Sequence, residues 1–318
     1  MPALLDKVIR DINGEFFDNP SLHTALAKAQ EYAGSTGYVA SLFHILHGRV
    51  IAPFENEIWT TDIITSITED DVGVDKHGKF AEKGQPVVIT VHGGGILSSP
   101  DRLNKANREV LTNHSAAKLT KKEITDLLHG VIRDDTEIKV FGYNEFLEES
   151  ALPEFLQNYP RFAVVRTLEQ AVQTKSGMQS LDELNLNSQF IIYAAGKKPA
   201  VDYFARAKAR YKHPKVGVWH LFDEMNPEYP QGGFVSVHSK GDRGINCQPF
   251  FRDPGVIIGV RLDSPKPQIE LVPEKPPLEK DVQAALDAQQ PFIDRGLVYM
   301  PFRYDGTILV PVEPKGRK

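Results

Sequence analysis

At 318 residues, with 41% hydrophobic and 25% charged side chains, the chain has an ordinary globular composition, which excludes wholesale disorder. Its formal charge of −5 comes from 42 acidic and 37 basic residues mixed along the length, so no basic stripe points to nucleic acid. The one cysteine, Cys247, excludes an internal disulfide and a multi-cysteine metal site, and it fits a reducing, cytoplasmic compartment.

The N-terminal stretch reads as an amphipathic helix, with Leu4, Leu5, Val8, Ile9 and Ile12 on one face, suited to core or subunit packing. It lacks the layout of a secretory signal. No run approaches the roughly 18 apolar residues that span a bilayer, so no membrane partner is expected. The first fifty residues look helical. Ser21 caps a segment carrying Leu22, Ala25, Leu26 and Ala29, and Gly34 ends it. A third apolar segment, 38–46, places His44 and His47 on one helix face, without a nearby acidic or cysteine ligand to complete a metal site.

Residues 58–67 (IWTTDIITSI) are β-branched and predict a strand. The acidic run Glu69, Asp70, Asp71 and then Asp75 follows; it lacks EF-hand spacing and reads as solvated charge at a strand end. The stretch 75–84 reads as an exposed turn.

The chain is organised around 87–103, VVITVHGGGILSSPDRL. Val87 to Val91 form a buried strand. His92 and the triplet Gly93, Gly94 and Gly95 end it, and Ser99 with Pro100 caps a helix bearing Leu103 and Ala106. Three residues without Cβ let backbone N–H groups approach an anionic or carbonyl oxygen, and the helix start adds Ser98, Ser99 and Arg102. The same glycines also serve where a helix merely packs closely on a sheet.

Downstream, Thr120 and Glu123 have capping-box spacing ahead of Ile124, Leu127 and Leu128. Strands are predicted at 136–141 and 162–166, with short helices at 168–172 and 180–184. The apolar run 189–194 (QFIIYA) reads as a strand, 199–209 as a helix and 216–219 as a strand. Together they form a βαβ unit, whose strands are parallel. Beyond Trp219 the pattern turns all-β: 234–238, 256–261 and 269–272. Five prolines between 265 and 277, a helix over 278–286 and a strand pair, 297–300 with 307–310, close the chain.

The expected fold is therefore α/β, a mixed, largely parallel sheet flanked by helices, with a helical N-terminal segment and a β-rich C-terminal part. Residues 1–264 would form the core, including the helical subdomain 1–50, and 265–318 a tether, helix and strand pair packing on it.

The string HGGG after an apolar strand resembles the oxyanion hole of hormone-sensitive-lipase-like esterases, the phosphate loop of amino-acid kinases and a phosphate site of class II aldolases. The esterase resemblance implies a G-x-S-x-G elbow, which is absent. The aldolase resemblance implies an H-x-H zinc pair, and none occurs. Neither a Walker lysine motif nor G-x-G-x-x-G is present, and the sequence leaves the cofactor unknown.

If the strands 87–91 and 216–219 share a parallel sheet, His92 and His220 emerge together at its carboxyl edge. Asp223 or Glu224 would partner them in acid–base work, and His238 and Arg243 would join the ligand contacts. The leading expectation is an enzyme or binder of a small molecule whose oxygen sits at the glycine turn. A non-catalytic structural or self-assembling protein, forming a homo-oligomer, is the alternative.

Overall fold

The computed structural model of the chain describes residues 14–109, 116–133, 136–185, 187–213, 215–220, 222, 228–239, 244–246, 255–261, 302–304 and 309–311. It divides into two units, Met1–Ser264 and Pro265–Lys318.

The first unit opens with β1 (Gly14–Phe17), α1 (Leu22–Ala33), β2 (Tyr38–Val39), α2 (Leu42–Ile51) and the short α3 (Glu57–Thr60). Then come β3 (Ile63–Asp75), β4 (Gln85–His92), α4 (Pro100–Arg108), β5 (Ala117–Lys118) and α5 (Lys121–Leu128). The middle holds β6 (Val131–Ile132), β7 (Thr136–Glu137), β8 (Lys139–Gly142), α6 (Tyr143–Glu149), α7 (Phe155–Asn158), β9 (Phe162–Thr167) and α8 (Leu168–Val172). It continues through β10 (Gly177–Gln179), α9 (Leu181–Asn185), α10 (Ser188–Tyr193), α11 (Lys197–Tyr211), β11 (Val216–Trp219), β12 (Gln231–His238), β13 (Gly244–Asn246) and β14 (Ile257–Val260). In the second unit, β15 (Phe302–Tyr304) pairs antiparallel with β16 (Leu309–Pro311).

Among the described residues, nine strands form one mixed sheet in the order β10-β11-β13-β12-β3-β4-β9-β8, with β5 also on β12. Every pairing is antiparallel except β11 with β13 and β8 with β9. The sheet is thus mixed and flanked by helices, as expected, but mostly antiparallel. One face packs on α1, α4 and α5 through Val87, Ile89, Val91, Leu26, Leu103 and Leu127. The other packs on α2, α10 and α11 through Val235, Val237, Leu46, Phe190 and Phe204. A sheet buried on both faces produces near-continuous apolar strands whatever its strand direction.

The expected βαβ unit dissolves for a related reason. Residues 188–193 form α10, capped by Asn187, whose side chain accepts from the Phe190 amide. A short apolar run fits a buried helix as well as a buried strand. Likewise the strand expected over 58–67 begins only at Ile63. Before it, Asn56 caps α3 and buries Trp59. The N-terminal region is not wholly helical either, because β1 and β2 both pair with β14.

The largest departure concerns the acidic run. Glu69, Asp70, Asp71 and Asp75 are not solvated: the first three lie within β3 between β12 and β4 and Asp75 at its end against β4, each at most 4% exposed. The helix expected over residues 4–12, the strand 269–272, the helix 278–286 and the strand 297–300 fall outside the described residues.

Candidate functional site

The strand, glycine turn and capped helix form as expected: β4, then Gly93 and Gly94 with φ of 82° and 97°, then α4 with Ser99 as cap and Pro100 leading. Positive φ at both glycines explains why residues without Cβ stand there. The anion held by the turn, however, is internal. Glu69 Oε1 accepts from the Gly95 amide at 3.1 Å and the Leu97 amide at 3.0 Å, and Oε2 also accepts from Leu97. The Gly93 amide donates to Ser41 Oγ at 2.7 Å. A Cβ on Gly95 would lie 2.6 Å from Glu69 Oε2, so the glycine makes room for the carboxylate. The Gly93, Gly95 and Leu97 amides are thus committed to Ser41 and Glu69 within the chain, rather than turned outward to a ligand oxygen. Burial pushes the Glu69 carboxyl up to about 7, outweighing those N–H donors and the nearby charge of Arg133.

The two histidines do not meet. β4 runs antiparallel to β3, β3 to β12 and β12 to β13, while β11 runs parallel to β13. β4 and β11 therefore end at opposite edges of the sheet. His92 is fully buried, its Nδ1 paired with Thr68 Oγ1 at 3.0 Å and its Nε2 with the Ile192 carbonyl at 3.0 Å. The Leu42 amide donates to Thr68 Oγ1, leaving that hydroxyl free to donate its proton to Nδ1. Burial lowers His92 to about 3, so it is neutral at pH 7. His220 stacks on Phe222 with ring centroids 4.8 Å apart, and its Nε2 meets the Thr174 carbonyl at 2.8 Å. Each is a packed, hydrogen-bonded side chain on its own edge.

Arg102 is likewise taken, its Nε donating to Glu123 Oε1 at 2.8 Å and its Nη2 to the Lys118 carbonyl at 2.7 Å. Ser99 Oγ accepts from the Arg102 amide, as a cap should. Ser98 Oγ donates to the Gly95 carbonyl at 2.8 Å. His238 pairs with Ile63 at the end of β12. Asp223, Glu224 and Arg243 lie outside the described residues.

Beside the glycine turn, on the outer side of Gly93 and Gly94, a cavity of about 500 Å³ opens. The end of α1 (Gln30, Ala33) and Gly34 form one wall, Tyr38, Phe43 and His44 a second, and Leu156, Pro160 and Arg161 a third, with Arg133, Ile67 and Ser98 completing it. Gly93 shapes this space: a Cβ there would lie 2.5 Å from Arg161 Cγ, so the bare turn lets the arginine stem lie across it. Arg161 Nη2 then donates to the Gly94 carbonyl at 3.1 Å. Its Nε is buried and has no hydrogen-bond partner among the described residues. Burial, then the charge of Arg133, lower the Arg161 guanidinium below its ordinary value, while Glu69 raises it.

His44 accepts from the Ser41 amide at 3.1 Å and stacks on Tyr38, with centroids 4.4 Å apart. Burial first, then His92 and His47, lower it to about 3. The sequence showed His44 as a helix-face residue but missed Arg133 and Arg161. Only the pairing of His92 with Phe162 brings Arg161 to the turn. Among the described residues no group of three or more histidine, cysteine, aspartate or glutamate side chains is arranged to hold a metal ion. No described helix is long and apolar enough to cross a membrane.

No protein-family model matches the chain, and no curated protein matches its sequence. Its fold is similar to a solved structure described as "Accommodation of massive sequence variation in Nanoarchaeota by the C-type lectin fold", at 20% identity and a TM-score of 0.59. The likeness covers 78% of this chain and 98% of the other. It shows the fold alone: helices around a mixed sheet, in the C-type lectin arrangement.

Proposed function

We propose that the chain is a binding module whose small ligand carries an anionic group, received between Arg133 and Arg161 in the cavity beside Gly93 and Gly94. The observation that carries this reading is the Arg161 guanidinium, anchored by Nη2 on a carbonyl while its buried Nε has no hydrogen-bond partner among the described residues. A buried donor left unpaired costs about 1–3 kcal/mol, and an anion bound there restores the bond. Arg133, close enough to depress Arg161, adds a second positive charge.

Binding is favoured over catalysis by the histidines. His44 and His92 are both held neutral down to about pH 3, far from the range in which imidazole shuttles protons at neutrality. The fold supports the same reading. The neighbour's fold is described as accommodating massive sequence variation, and a fold that does so suits a binding module. A reducing, cytoplasmic setting accords with the single cysteine.

Isothermal titration with inorganic phosphate, acetate and aromatic carboxylates tests the proposal. At least one of these anions is expected to bind, and Arg161→Gln to weaken it by about 10-fold or more, the equivalent of one charge-assisted hydrogen bond. Affinity unchanged in Arg161→Gln, or no binding of any anion, would sink the reading.

A further inference from the structure

The cavity is larger than the anionic group its two arginines would neutralise. Its volume of about 500 Å³ falls in the range of small-molecule sites, about 300–1,000 Å³. A bare inorganic anion would fill a small part of it. Much of the remaining wall is apolar or aromatic, with Val39, Phe43, Ile67, Leu156 and Pro160 all lining the space. The stacked pair Tyr38 and His44, 26° from parallel, extends that surface without charge, since His44 stays neutral and burial pushes the Tyr38 hydroxyl up. Charge arithmetic narrows the head group. Among the described residues, Arg133 and Arg161 stand near one carboxylate, Glu69, so when that group is ionised about one positive charge remains for a ligand to meet. A monoanion matches this better than a dianionic phosphate.

Resting on the anion-binding reading above, we infer that the ligand is an amphiphilic carboxylate, with its head at Arg133 and Arg161 and an aromatic or branched aliphatic body against Phe43, Ile67 and Leu156. The charged end gives orientation and the apolar body most of the affinity, as in other largely apolar pockets with few polar groups.

Titration calorimetry on the full chain with phenylacetate, phenylacetamide, acetate and inorganic phosphate tests it. Phenylacetate is expected to bind about 10-fold or more tighter than acetate, from burial of the ring. Phenylacetamide should lose about 10-fold relative to phenylacetate, because it lacks the charge. Leu156→Ala should weaken phenylacetate several-fold while leaving acetate unchanged, a split that general damage to the fold would not produce. Acetate or phosphate binding as tightly as phenylacetate, and weakened by Arg161→Gln, would overturn the amphiphile while leaving the anion site standing. Equal affinity for phenylacetate and its amide, or no binding of any of the four, would overturn both.

Discussion

Asp70 and Asp71 are neighbours on β3, equally withdrawn from water, and the protein treats them in opposite ways. Asp70 points to the α10 face. Its Oδ1 accepts from Thr90 Oγ1 at 2.5 Å, and its Oδ2 from the Tyr193 hydroxyl at 2.5 Å. Gln189 Nε2 bridges both oxygens at 3.3 and 3.4 Å, and its carbonyl in turn accepts from Arg166. Asp71 points to the α5 face. A Cβ on Gly232 would lie 1.9 Å from its Oδ1, and neither oxygen has a hydrogen-bond partner among the described residues. Burial, then Glu69, Asp70 and Glu123, push its carboxyl well above the ordinary value, against Arg102. Burial alone therefore does not decide whether a carboxylate supports a fold. Donors do: Asp70 has hydroxyls and an amide, Glu69 has backbone N–H groups, and Asp71 has neither among the described residues.

Three changes sharpen or break that contrast. The largest effect is expected at Asp70→Ala, which strands the Tyr193, Thr90 and Gln189 donors in the core. It should cost about 3–5 kcal/mol in urea denaturation, comparable to breaking a buried charged network. A loss below about 1 kcal/mol would show that Asp70 is not the hub of those bonds.

Glu69→Gln comes next, and its signature is pH dependence. A carboxyl raised from 4.5 to about 7 binds its proton more tightly in the folded state. Its contribution is complete below pH 4.5 and is lost as pH rises through about 7. Relative to wild type, the variant should gain about 1–3 kcal/mol between those limits. The opposed acid sensitivity of His44 and His92, present in both proteins, cancels in the difference. A flat difference across that window would show that the carboxyl titrates in its ordinary range.

Asp71→Asn is the smallest change and carries the opposite sign from Asp70→Ala. Removing a charge that lacks donors should stabilise the fold by about 1 kcal/mol at pH 8 and leave it unchanged near pH 4, read from chemical denaturation at each pH. Destabilisation at pH 8 would mean that the ionised group is paired after all.

Much of the scaffold was legible in the residues. The β4 strand, the Ser99–Pro100 helix start, the Thr120–Glu123 capping box and the Gly34 stop each rest on local chemistry, and each forms. What escaped depended on distant partners. The acids of β3 looked solvated because their compensating groups, Gly95, Leu97, Tyr193 and Gln189, arrive from segments 26 to 123 residues away. The glycine triplet reads either as an oxygen-binding turn or as a site of close packing, and sequence cannot tell an internal carboxylate from a bound ligand. Arg161 was invisible because only the β4–β9 register carries it to Gly93.

The three-stranded arrangement of β1, β14 and β2 has a consequence for synthesis. Both early strands pair with β14, so residues 14–17 and 38–39 lack their partner until residue 260 has been made. At a typical 5–20 residues per second, that interval lasts roughly 10–50 s. Through it the nascent polypeptide carries open strand edges on the ribosome, the kind of surface that invites chaperones or, in their absence, neighbouring chains.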